Sequence, residues 1–275
     1  MSGVNISPNK FISEKSLRGM GVFNWIGVRT LMQRELMRFL KIYMQTIVGP
    51  ALTTLLFLII FSIALGRASK FVGETPFLEF LGPGLIIMSM IQNAFANSSS
   101  SLLSAKIAGN ITDLLLPPLT ALEFALSFLA GSIGRGILVG LASVALIITF
   151  VPIRVHDYFA LIYFSIIACS IMGLAGLIAG IWADKFDQMA AITNFIVTPL
   201  SLLSGTFYSI SNLPNTFYLV SQFNPFFYMI DGFRYSLIGY ADANVLVGGS
   251  VLFILNFILF ITAVIMLKTG YRLKS

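Results

Sequence analysis

Two stripes of amides and hydroxyls, set at helical spacing inside long apolar runs, are the residues best placed to do chemistry. The first is Ser89, Gln92, Asn93, Ala96, Asn97 and Ser100; the second is Asn194, Thr198, Ser201, Gly205 and Tyr208. Uncharged donors and acceptors of this kind hold and pass a solute rather than break bonds. Facing lipid, they would leave polar groups unpaired in hydrocarbon, so both stripes must face protein or a wet cavity. Two readings stay open: hydrogen bonds between helices, worth about 0.6–2 kcal/mol each, or the lining of a path.

Arg135 is the formal charge deepest inside an apolar run. At a helix centre an Arg costs about 2.5–3.5 kcal/mol on insertion scales, so it must face the bundle interior. Gly131, Gly134, Gly136 and Gly140 flank it, which predicts a second helix close by. Glu123 lies about 18 Å away along the same helix, so the expected partner is an acid on another span. The spans carry no Asp/Glu/His relay, which counts against a proton-coupled carrier. There is no GxxxxGK[ST] phosphate loop, no HExxH zinc motif and no defensible nucleophile–base pair. A lipid-modifying enzyme would have only scattered acids such as Glu79 and Asp231 to work with. Cys169, the single cysteine, permits no intrachain disulfide or thiolate cluster and reads as packing.

The elements that position these residues follow from composition. The 275 residues are 57% hydrophobic and 10% charged, with a mean hydropathy of +0.91, where a soluble domain carries roughly 25% charged residues. Apolar runs at 46–66, 77–97, 121–151, 158–182, 190–207 and 245–267 predict an all-α polytopic membrane protein with six transmembrane helices. The first run follows seven basic residues and is too long for a signal peptide's apolar core. Lys10, Lys15, Arg18, Arg29, Arg34, Arg38, Lys41, Lys106, Lys185, Lys268, Arg272 and Lys274 fall on one side, and Arg67, Lys70, Arg154 and Arg234 on the other. This bias predicts both termini in the cytoplasm. The basic residues edge the apolar runs rather than forming a stripe, which excludes nucleic-acid binding.

Flanking segments have their own pattern. Residues 1–22 read as a cytoplasmic tail, 46–267 as the transmembrane domain and 268–275 as a second tail. Residues 23–43 predict an amphipathic helix with Trp25, Val28, Met32, Leu36, Phe39 and Tyr43 on its apolar face, opposite Arg34, Arg38 and Lys41. Such a helix anchors in the headgroup plane of membrane lipids or docks a cytosolic partner. Residues 102–116, with Lys106, Ile107, Asn110, Ile111, Asp113, Leu114 and Leu115, predict a second short amphipathic helix that Pro117 and Pro118 end. After the fifth run, Asn212, Pro214, Asn224 and Pro225 break an aromatic-rich stretch into pieces too short to span. Phe207, Tyr208, Phe217, Tyr218, Phe223, Phe226, Phe227 and Tyr228 there suit an outer gate or an interfacial belt. His156, in a short outer loop, reads as solvated.

Three segments, 80–95 running on to 110–118, 203–214 and 223–234, resemble the permease subunits of type-2 ABC exporters, most closely the short Gram-negative inner-membrane permeases with a separately encoded ATPase. The resemblance covers the chain from about Trp25. It implies a homodimer bound to two ABC ATPase subunits in the bacterial inner membrane, with ATP and Mg held by the ATPase and no cofactor on this chain. It implies that 102–116 is the coupling helix, 23–43 the connecting helix and 209–239 a pair of re-entrant helices. Spans two and five would line the path, for export of an amphipathic, lipid-linked or drug-like substrate. The alternative is a secondary transporter driven by an ion gradient.

Overall fold

The computed structural model describes residues 23–65, 71–72, 75–210 and 214–273. The tail at 1–22 with Lys10, Lys15 and Arg18, as well as Arg67, Lys70, Asn212, Lys274 and the Phe217 side chain, lie outside the described residues.

The described chain is helical apart from one short antiparallel ladder. Helix α1 (Trp25–Leu40) leads through a π-turn (Met44–Val48) into α2 (Gly49–Leu65). Strands β1 (Phe71–Val72) and β2 (Thr75–Pro76) pair Phe71 with Pro76 and Val72 with Thr75. Then come α3 (Phe77–Ile107), α4 (Ile111–Leu115), α5 (Ala121–Ile147) and α6 (Tyr158–Trp182). They are followed by α7 (Phe186–Ile192), a π segment (Thr193–Val197), α8 (Thr198–Leu202), α9 (Asn215–Gln222), α10 (Pro225–Ile238) and α11 (Val245–Thr269).

Five helices are long and apolar enough to cross a membrane: Met44–Ala64, Phe77–Ile107, Ala121–Ile147, Tyr158–Trp182 and Val245–Thr269. Their burial sorts them. In α3, 72% of the most apolar window is buried against protein, and in α6 61%, against 17% for Met44–Ala64 and for α11. Helices α3 and α6 therefore form the centre, with α2 and α11 outside. Small residues bring the central pair together: a Cβ on Gly176 would lie 2.3 Å from the Phe95 carbonyl oxygen, and one on Gly180 3.2 Å from that of Ser99. Lipid tails are as apolar as Leu, so this close backbone approach, not hydrophobic exclusion, favours helix association in a membrane.

Caps define where the spans begin. Thr120 and Glu123 form a reciprocal capping box at the start of α5. The Glu123 carboxylate also accepts from the Asn24 backbone N–H at 2.6 Å, which ties the start of α1 to the start of α5. Asp157 and Asn244 cap α6 and α11 with their side chains.

The structure corrects two predicted boundaries. Helix α3 does not end at 97 but runs to Ile107, so 102–116 is not one helix. Gly109, at φ +72°, turns the chain into the separate α4. The predicted span at 190–207 is a helical segment beginning at Phe186, interrupted by the π segment and ending at Leu202, with an irregular stretch beyond it.

Candidate translocation and docking sites

The two polar stripes meet at one hydrogen bond. Gln92 Nε2 donates to Ser201 Oγ at 3.0 Å, and Ser201 Oγ donates to the Thr198 carbonyl at 2.8 Å. Ser89, Gln92 and Asn93 also line a cleft of about 370 Å³ between α2 and α3, together with Gln45, Thr53 and Thr54. The cleft thus lies toward the first span, whereas the sequence placed a path between the second and fifth. Asn97 is fully buried; its carbonyl and Oδ1 accept from Arg38 Nη2 at 2.7 and 2.9 Å. Asn194 is exposed on the π segment, and the Tyr208 hydroxyl donates to the Leu203 carbonyl at 3.2 Å.

Arg135 Nη2 donates to Asn93 Oδ1 at 2.9 Å. Among the described residues none of the ion pairs includes Arg135, so the expected acidic partner on another span is absent. Its Nε is buried without a hydrogen-bond partner.

The aromatic positions divide. Phe207 packs on Phe61 with ring centroids 4.3 Å apart, and Phe223 is 88% exposed. Phe226 and Phe227 are buried in the core and do not face an opening. Asn224 explains this: its Oδ1 caps α10, while its amide donates to the Leu200 carbonyl at 2.9 Å and Ser204 Oγ at 2.8 Å. With Pro225 at the first helical position, the next two side chains are turned inward. Nearby, Arg234 is fully buried and lies 3.7 Å over the Phe80 ring. The sequence had counted Arg234 only among the basic residues opposite the termini; its spacing from Asp231, one turn earlier on the same helix, was the available signal.

At the other end, helix α1 is rotated from expectation. Its buried stripe is Leu31, Glu35 and Phe39, turned about 60° from the predicted apolar face at 100° per residue. Trp25 and Tyr43 are exposed. Glu35 was missed, although it sits four residues from each of two buried apolar neighbours. Its carboxylate accepts from Ser101 Oγ at 2.9 Å and lies 3.5 Å from Arg38 and 3.7 Å from Arg34. Gly131 leaves the room: a Cβ there would stand 2.7 Å from Glu35 Cβ. Of the predicted docking cations, Arg38 is turned into the bundle, where burial pushes its pKa below the ordinary arginine value. Arg34 and Lys41 remain exposed.

Lys106 also turns inward. Its Nζ donates to the carbonyls of Ile181 at 2.9 Å and Ala183 at 2.6 Å, and to Asp184 at 2.9 Å. A cation there complements the carbonyl end of α6. The hydrogen bond from Lys106 holds the Asp184 carboxyl below its usual range. Arg272 joins the junction, 3.5 Å from Asp184. On α4, Ile111 and Leu114 are buried and anchor the helix, while Asn110 and Asp113 are exposed and Leu115 is half-buried. Ile107 and Leu116, at 49% and 76% exposure, leave apolar surface beside Asp113.

Residues 27–238 match the family model described as "ABC-2 type transporter". The chain belongs to the ABC-2 type transporter family. The inner membrane transport permease YadH of Escherichia coli strain K12 is 35% identical over 250 residues, covering 90% of this chain and 98% of that protein. The permease of the same name from Shigella flexneri matches to the same extent. The chain is therefore the permease component of an ABC-2 type transporter. The family match begins within α1 and ends with α10, so it takes in both the charged knot around Glu35 and the Arg234 site.

Proposed function

We propose that this ABC-2 permease is the membrane half of an ATP-driven exporter. Two copies work with two ABC ATPase subunits, which bind ATP and Mg. Both termini lie in the cytoplasm, and Phe186–Leu202 supplies the sixth crossing. Its helical and π segments together reach about 25 Å at 1.5 Å per residue, close to the hydrocarbon thickness. Helices α9 and α10 are re-entrant in the outer leaflet, and the substrate is amphipathic, lipid-linked or drug-like.

The observation that carries this reading is the α4 surface. Ile111 and Leu114 fix the helix to the bundle, which leaves Asp113 and Leu116 pointing away from it, while Ile107 is exposed at the end of α3 just before it. An apolar pair around one acid is suited to a groove on a cytosolic subunit. Motion of that subunit would pass through α4 into the end of α3, and through the Glu35–Arg38 contacts from α1 into the same helix.

The test is co-purification of the tagged chain from native membranes, with an ATPase assay of the complex. A stoichiometric ATP-binding subunit is expected. Leu116→Glu should lose that subunit or its stimulated ATPase activity by about tenfold, as expected for a central apolar contact, while membrane insertion persists. A lone oligomer that transports on an ion gradient would overturn the proposal in favour of secondary transport.

A further inference from the structure

We propose that the cleft between α2 and α3 binds an amphiphile with an anionic headgroup, and that Arg135 supplies the counter-charge. This rests on the permease reading only in naming the ligand as cargo; the binding itself does not need an ATPase.

The cleft is polar at one end and apolar at the other. Helices α2 and α3 run antiparallel, so Gln45 at the start of one lies toward Gln92 and Asn93 of the other, while Phe57 lies toward Leu85 and Met88. From Gln45 to Phe57 the wall extends about 18 Å. A headgroup fits the amide end and a chain fits the other.

The sign of the headgroup follows from the charges behind the amide end. Asn93 and Asn97 are one helical turn apart on α3, and each holds a guanidinium: Arg135 on Asn93, Arg38 on Asn97. Arg34 adds a third cation, and Glu35 is the one carboxylate that pairs with any of them. Arg38 acts on Arg135 as a like charge. With Arg34 exposed to water, Arg38 and Arg135 against Glu35 leave an excess of one positive charge behind the amide end of the cleft, where an unpaired charge is expensive. Arg135 stands behind the cleft-lining Asn93 with its Nε buried and without a hydrogen-bond partner, so its charge is incompletely compensated there. Zwitterionic and cationic headgroups gain nothing from this field.

The experiment measures binding to the full-length chain in a nonionic maltoside without ATP. The probes are dodecyl phosphate, dodecylphosphocholine, dodecyltrimethylammonium and inorganic phosphate. Dodecyl phosphate is expected to bind at least about tenfold tighter than the other three. Arg135→Gln should erase the preference, and Arg135→Lys should keep part of it. Thr53→Phe, on the exposed wall of the cleft, should block binding without touching any charge, which covers the case of an Arg135 variant that fails to fold. Equal affinity for the phosphate and phosphocholine detergents would overturn the proposal, as would an unchanged preference in Arg135→Gln. Tight binding of inorganic phosphate would overturn the amphiphile assignment. Dissociation of a dimer by Thr53→Phe, with no detergent bound, would give the cleft to a second copy of the chain and overturn it too. Because no ATPase is present, none of these results bears on whether the chain works with one.

Discussion

Two arginines of this permease, Arg234 fully buried and Arg135 partly buried, are treated in opposite ways. At Arg234 every nitrogen has somewhere to go: Nη2 donates to the Gly205 carbonyl at 2.7 Å, Nε to the Phe80 carbonyl at 3.3 Å, and Nη1 lies 4.0 Å from Asp231. The Phe80 ring covers the guanidinium face. Asp231 is itself held by the backbone N–H groups of Asp242 and Ala243, both at 2.9 Å. Arg135 has one amide oxygen and a like charge for company. A saturated cation is a fastening that joins α10, α3 and the loop after α8. An unsaturated one adds little to the fold and is left for something that arrives later. The contrast teaches that burial of a charge does not by itself say what the charge is for; the count of its unmet donors does.

The largest effect should come from breaking the saturated site. Arg234→Met fits the volume but leaves Asp231 without its cation and two carbonyls without their donor, at a cost of about 3–5 kcal/mol. Thermal unfolding in a nonionic maltoside should show that loss, together with release of the Gly205 loop to proteolysis. A stable Arg234→Met protein would break the comparison, because both arginines would then be dispensable to the fold.

Glu35 is an intermediate case. Its carboxylate is wholly buried, but the Arg38 side chain is 31% exposed, so solvent tempers the pair. Glu35→Gln keeps a hydrogen-bond acceptor for Ser101 and removes the charge, for an expected loss of about 2–3 kcal/mol. The readout is detachment of α1, followed by hydrogen exchange of the backbone amides from Leu31 to Phe39. If α1 stays protected, the knot is decorative and Leu31 and Phe39 alone hold the helix.

A weaker fastening lies at the water-facing junction of Lys106, Asp184 and Arg272. Asp184 is half exposed, and Lys106 keeps two carbonyl acceptors without it. Asp184→Asn should leave the melting temperature at pH 7 close to wild type. The carboxyl pKa is lowered in the fold, so the carboxylate form is the one the fold favours. Its contribution is present above the ordinary value of 3.8 and fades as pH falls through the lowered one. The two proteins should therefore converge below that range, and a gap that widens in acid would contradict the sign.

What was legible in the sequence was what hydrophobic periodicity and helix breakers control. Runs of apolar residues marked the five long helices, and Asn224 with Pro225 marked the break between α9 and α10. What was hidden depends on partners distant in sequence. Glu35 was not singled out in the sequence, because its partner Ser101 and the room left by Gly131 lie on distant helices. Lys106 was read as a docking cation, and its carbonyl partners at Ile181 and Ala183 are some 75 residues away. The π segment left no residue-type signal that breaks the run after Phe186. Arg135 was read as an inward charge paired with an acid on another span; it donates instead to Asn93 Oδ1, and none of the ion pairs among the described residues includes it.

The smallest effect, and the sharpest use of the comparison, is on the stability of Arg135→Gln without ligand. The substitution removes a charge that no acid offsets and relieves its repulsion with Arg38. It takes away one hydrogen bond, to Asn93 Oδ1, worth about 1 kcal/mol, and a glutamine amide can restore part of that. The two changes oppose each other, so unfolding should shift by no more than about 1 kcal/mol in either direction. Measured beside Arg234→Met in the same detergent, it should differ from it by several-fold in free energy. A loss as large as that of Arg234→Met would show that Arg135 is also a fastening, and the cleft would then have no free counter-charge to offer an anion.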